Sequence, residues 1–184
     1  FVCITWMLPY LAERYSLTPS QAARFSMVPL LSGALANWLS GFLVDVLYRS
    51  RFRPWSRRLP ATLGFFLAAS GIYAVSIATG PEKAVTAFAI AMLGVEMTIS
   101  PSWAYCIDIG RRNSGSVSAA MNMAGSFGAL ASANAFPWLH RWTGNSGTYF
   151  RIAAALNALA ILCWVSMGSV RGADSARTSE NSGR

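Results

Sequence analysis

Charge is what this chain is shortest of: Asp, Glu, Lys and Arg make up only 12% of its 184 residues, about half the share of an ordinary soluble domain. The 7 acidic residues are outnumbered by 15 basic ones, and there are only 3 cysteines and 1 histidine. Cys3, Cys106 and Cys163 are far apart in apolar stretches, form no CxxC pair and are odd in number. They imply neither a disulfide framework nor a zinc site and read as small buried hydrophobes. HExxH, GxSxG and P-loop patterns are absent, so neither a metal nor a cofactor is called for. An intramembrane serine protease would need a base near its nucleophile, but His140 and Ser114 fall at opposite ends of one apolar run. A basic n-region and cleavage site are also missing. The sequence opens on Phe1 inside an apolar run, as expected of a fragment whose N-terminal part is missing.

Apolar residues are abundant: 54% of the chain is hydrophobic and its mean hydropathy is +0.39. Crossing about 30 Å of hydrocarbon takes roughly 20 helical residues. Five runs meet that requirement, at Ser26–Tyr48, Leu59–Thr79, Ala84–Ile107, Ser116–Leu139 and about Thr148–Val170. A sixth, Phe1–Ala12, looks cut at its start. The expectation is an all-α polytopic membrane protein with six transmembrane helices over residues 1–170, followed by a disordered tail at 171–184. Pro29, Gly64, Gly71, Pro101, Gly125, Gly128 and Pro137 lie inside these runs, and packed membrane helices tolerate such residues.

The stretch "GFLVDVLYRSRFRPWSRR" shows how sharply oil gives way to charge. Clustered arginines can mark a nucleic-acid surface, but here they sit between two apolar runs, so no nucleic-acid partner is expected. Arg49, Arg51, Arg53, Arg57, Arg58, Arg111, Arg112, Arg171, Arg177 and Arg184 fall on one side of the inferred bilayer. Arg14, Arg24, Lys83, Arg141 and Arg151 fall on the other. The positive-inside rule makes the first side cytoplasmic, with both ends of the fragment there, as in a bacterial inner-membrane protein. Trp55, Trp138 and Trp142 flank the spans, as interfacial aromatics do.

Few polar residues fall within the spans. Glu96 is close to the middle of its run, where an acid is costly unless neutral, paired or facing water, and by default marks an ion or proton pathway. A buried acid making one interhelical hydrogen bond is the equal alternative. Ser100 and Trp103 follow at i+4 and i+7 on the same helical face, and Pro101 should kink the helix by depriving the Met97 carbonyl of its donor. Asn37 sits between Gly33 and Gly41, a groove suited to close helix approach. Asn122 shares a face with Ser126 and Gly125. Asn37 and Asn122 read either as interhelical glue or as ligand contacts. Asp45 and Asp108 end their spans, where a carboxylate opposes the helix dipole, and Arg49 and Arg111 follow at i+4 and i+3 as compensating partners.

Two stretches carry a resemblance. "WMLPYLAERYSLTPSQAARFSMVPLLSGALANWLSGFLVDVLYRSR" resembles the seventh and eighth helices and following loop of major facilitator superfamily transporters, most closely the anion:cation symporter branch. "PSWAYCIDIGRRNSGSVSAAMNMAGSFGAL" is similar to that branch's tenth and eleventh helices. The resemblance covers about Phe1 to Gly168. It implies the C-terminal half of a twelve-helix secondary transporter for a small organic anion, coupled to H+ (or Na+), working by alternating access around a midplane site. Its partners would be the lipid bilayer and the missing N-terminal half. Gly41, Asp45 and Arg49 match the family's loop pattern, with Val46 where an arginine is common, and the resemblance places Asp45 in a charge network latching the two halves. Asp108, Arg111 and Arg112 are expected at the same cytoplasmic gate. Substrate and proton pathway candidates are Glu96, Ser100, Trp103, Asn37, Asn122 and Ser126; Glu96 is not carried over from a family motif. A non-transporting six-helix scaffold is the alternative.

Overall fold

A computed structural model of the chain describes residues 2–167, so the tail expected to be disordered lies outside the described residues. Among the described residues eight α-helices follow one another: α1 (Val2–Thr5), α2 (Met7–Tyr15), α3 (Pro19–Arg49), α4 (Arg58–Ile77), α5 (Pro81–Met97), α6 (Ile99–Gly110), α7 (Ser114–Thr143) and α8 (Ser146–Ser166). Short 3-10 turns at Arg53–Trp55 and Arg111–Asn113 join α3 to α4 and α6 to α7.

Among the described residues four helical stretches are long and apolar enough to cross a membrane: Pro19–Arg49, Arg53–Ile77, Pro81–Thr143 and Ser146–Ser166. The third runs for 63 residues because α5, α6 and α7 follow one another with helical turns in between. The N-terminal run falls short, because it is divided at Trp6 into helices of 4 and 9 residues.

Helix boundaries follow hydrogen bonding more closely than hydropathy. α3 begins at Pro19, seven residues before the apolar run, because Thr18 and Gln21 form a reciprocal cap. Gln21 N donates to Thr18 Oγ1 at 3.4 Å, and Thr18 N donates to Gln21 Oε1 at 3.1 Å. Two of the orphan donors of the first turn are thereby satisfied. Pro19 supplies a preset φ at the helix start.

α5 packs between α3 and α4. The α4 seam is made of backbone meeting backbone: a Cβ on Gly94 would lie 2.3 Å from Ala68 N and 2.5 Å from Gly64 O. A Cβ on Gly71 would lie 2.4 Å from Ala91 N. Gly64, Ala68 and Gly71 on α4 thus face Ala87, Ala91 and Gly94 on α5, small residues with the same spacing on both helices. With no hydrophobic drive between helices in lipid, association of this kind draws on close van der Waals contact.

At one end of the bundle Tyr10, Phe88, Phe136, Tyr149 and Phe150 form an aromatic cluster that ties α2 to α5, α7 and α8. The Tyr10 and Phe150 centroids are 5.0 Å apart at 80°, an edge-to-face contact of the favoured type. Outward faces stay apolar: Trp38 is 84% exposed, and Phe42, Phe127, Leu156 and Leu162 are also exposed. A surface of this kind requires lipid or protein cover. Cys3 and Cys106 are buried as expected, whereas Cys163 is exposed on α8. A short hydrophobe on a lipid-facing helix has no need of burial.

Candidate substrate and proton pathway

Midway along the bundle three of the sequence candidates meet. Asn37 on α3 donates from Nδ2 to Glu96 Oε2 at 3.3 Å. Ser100, one turn beyond Glu96, places its hydroxyl 3.3 Å from Asn37 Oδ1 and 3.5 Å from the Asn37 carbonyl. A directional chain results, Ser100 to Asn37 to Glu96, in which the amide both accepts and donates. All three side chains are partly buried.

Glycine on α3 creates the space. A Cβ on Gly33 would lie 3.0 Å from both Glu96 Cγ and Met92 Cγ, while one on Gly41 would rest 3.8 Å from Ser100 Oγ. The Gly33, Asn37, Gly41 array therefore receives Glu96 and Ser100 along a single helical face, which closes the helices around a polar centre.

The helix bearing Glu96 is interrupted just after it, at Thr98. Pro101 lacks the N–H that the Met97 carbonyl would accept, and its ring opposes a straight helix. Ser40 of α3 supplies the missing donor, with its hydroxyl 2.6 Å from Met97 O. Thr98 Oγ1 donates to Val95 O at 2.7 Å, and Ser102 Oγ donates to Thr98 O at 2.7 Å. The carbonyls at the break are thereby satisfied. Ser40 was not foreseen from the sequence; the signal for it was the carbonyl freed by Pro101, which must find a donor from another helix. Ser40→Ala is expected to cost about 1–3 kcal/mol, the penalty for leaving a buried polar group unpaired. A lowered thermal midpoint of the purified protein would show it, and an unchanged midpoint would rule it out.

The remaining pathway candidates are exposed. Trp103 is 42% exposed on α6. Asn122 and Ser126 lie on an exposed face of α7, where Ser126 Oγ donates to the Asn122 carbonyl at 3.0 Å. A Cβ at Gly125 or Gly128 would meet nothing within 4 Å. α7 packs beside α6 and α8, and its strip of small residues is exposed.

At the arginine-rich end, Asp108 is met by Arg57, with Nε 3.0 Å from Oδ2. This partner is 51 residues away and could not be read from the local i+3 spacing to Arg111. Arg53 and Arg57 both lie over the Tyr48 ring, at 4.2 and 5.0 Å from its centroid. Arg53 also donates to the Tyr48 hydroxyl, and Arg58 donates to the Met167 carbonyl. Asp45 and Arg49 are exposed and do not close the expected i+4 ion pair. Both extend from the solvent-facing end of α3, where a paired geometry gains little over hydration. Arg111, at φ 46°, and Arg112 lie exposed in the turn that joins α6 to α7. Among the described residues no cluster of three or more His, Cys, Asp or Glu side chains could hold a metal.

Comparison with known proteins agrees with this architecture. The chain is similar to a probable sulfoacetate transporter, SauU, of Cupriavidus necator, with 26% identity over 160 residues, 85% of this chain and 36% of that protein. It is similar to a probable chloroplastic anion transporter 2 of Oryza sativa subsp. japonica, 25% identical over 157 residues, 85% of this chain and 29% of that protein. A probable chloroplastic anion transporter 3 of Arabidopsis thaliana is 23% identical over 166 residues, 90% of this chain and 32% of that protein. The chain thus spans about a third of the length of these relatives. The profile of the Major Facilitator Superfamily matches residues 1–133, and the chain belongs to that superfamily.

Proposed function

We propose that the chain supplies the C-terminal six-helix half of a secondary carrier that moves a small organic anion, a carboxylate or sulfonate, together with a proton by alternating access. The observation that carries this is the Glu96, Asn37 and Ser100 chain of hydrogen bonds, placed midway along α3 and at the break between α5 and α6. An acid at such depth is costly and marks ion pathways by default. Its protonation state decides whether it accepts from the Asn37 amide or donates to a neighbour. The anion class is supported by the relatives named for sulfoacetate and anion transport.

On this reading α1 and α2 form part of the first span of the half, α5 and α6 are one broken span, and α3, α4, α7 and α8 are the others. The arginine-rich end faces the cytoplasm of a bacterial inner membrane, as the positive-inside rule favours. Asp45, Arg49, Asp108, Arg111 and Arg112 would then border the cytoplasmic gate, and Asp45 and Arg49, exposed here, would pair across to the other half.

Reconstitution of the full-length carrier into proteoliposomes tests the proposal. An inward proton gradient should drive sulfoacetate, or another small carboxylate or sulfonate, above its equilibrium level, and a protonophore should abolish the accumulation. Absence of uptake for all such anions would overturn it.

A further inference from the structure

Far from Glu96, at the end opposite the arginine-rich loop, α2, α4, α7 and α8 enclose two adjoining recesses of about 370 and 200 Å³. Both are lined by Tyr10, Arg14, His140 and Ser146; Ser76 lines the larger, and Glu13 the smaller. The imidazole is held in place, with Ser146 Oγ 2.9 Å from His140 Nδ1 and the Phe136 ring stacked at 6.3 Å and 10°. Its other nitrogen, Nε2, faces Glu13 Oε1 at 4.0 Å. That carboxylate is 77% exposed and so only loosely tied.

We propose that this recess is an anion-capture site at the mouth of the carrier. Arg14 and His140 hold the carboxylate or sulfonate head of the incoming substrate, and Glu13 is a built-in counter-ion that the ligand displaces. An exposed pair at 4.0 Å contributes little, so the displacement costs little. A small anion would gain guanidinium, imidazole and hydroxyl donors at once, and the guanidinium contact is charge-assisted and of the stronger kind. The groups around the imidazole account for its charge balance. α2 contributes Glu13, Arg14 and the neutral Tyr10, α4 and α8 contribute the hydroxyls Ser76 and Ser146, and Arg141 on α7 lines a separate recess. Glu13 and Arg14 offset one another across the recess, so displacing Glu13 leaves the guanidinium facing the anion.

This deepens the anion-carrier reading and rests on it, so two measurements separate the two. The first needs no transport. In the full-length protein with Cys163→Ser and Ser76→Cys, millimolar sulfate should slow thiol labelling at position 76 about threefold, and Arg14→Gln should remove that protection. Equal protection with and without Arg14 would overturn the site. The second is sulfoacetate uptake in oriented proteoliposomes. Arg14→Gln should raise KM about fivefold from the recess face only, with kcat little changed, and Glu13→Gln should lower it. His140→Gln should raise the same KM by a smaller factor. KM values unmoved, or moved equally from both faces, would overturn the proposal. Sulfate protection without any uptake would sustain the site and remove the transport reading instead.

Discussion

Replacing Gly94 by leucine is expected to prevent assembly of the bundle, with loss of the monodisperse peak in detergent and a cost above about 3 kcal/mol, beyond ordinary overpacking. The atoms in the way are Ala68 N, Gly64 O and Leu67 C, at 2.3, 2.5 and 2.8 Å from a Cβ at that position. None belongs to a flexible side chain, so relief requires moving α4 away from α5 as a whole. Even Gly94→Ala should cost about 1–3 kcal/mol. Gly33→Ala should be milder, because the atoms nearest its Cβ belong to the Met92 and Glu96 side chains, at 3.0 Å. Gly125→Ala should be close to silent, since nothing lies within 4 Å. Thermal midpoints in one detergent rank the series; a Gly94 variant as stable as the Gly125 variant would show that the α4–α5 contact is not close.

Much of this architecture was legible because lipid imposes a crude rule: long apolar runs become helices. Hydropathy reports the solvent around a helix and not its hydrogen bonds, so the early start of α3 at Pro19 was visible only in the Thr18 and Gln21 cap. Gly64 and Gly71 were read as tolerated, although the identical small-residue spacing at Ala87, Ala91 and Gly94 carried the signal of a shared seam. Glu96, Asn37 and Ser100 could each be picked out, because polar residues in mid-span are rare. Their meeting depends on the register of α3 against α5, which no local pattern encodes. Asn122 and Ser126, grouped with them on the same ground, lie on an exposed face of α7. Asp108 found Arg57 across a loop for the same lack of local signal.

Glu96→Gln is expected to abolish proton-driven accumulation while sparing exchange. Glutamine keeps the size of the side chain and can still hydrogen-bond Asn37, so packing against Gly33 is preserved and folding should be little affected. What is lost is the titratable proton. With one proton per anion, a gradient of one pH unit supports about tenfold accumulation, since that factor corresponds to 1.36 kcal/mol. The variant should fall to equilibrium while anion counterflow continues. Asn37→Asp should damage both, because a second carboxylate beside Glu96 repels it and the Nδ2 donor disappears. Unchanged accumulation in the Glu96 variant would remove this residue from the coupling step.

The most direct measurement counts protons without any transport. Binding of a saturating anion to the full-length carrier, followed in weak buffer with a pH indicator, should be accompanied by uptake of about one proton near neutral pH. The same binding to the Glu96→Gln variant should take up none. Equal proton uptake by the two proteins would contradict the assignment of Glu96 as the coupling group.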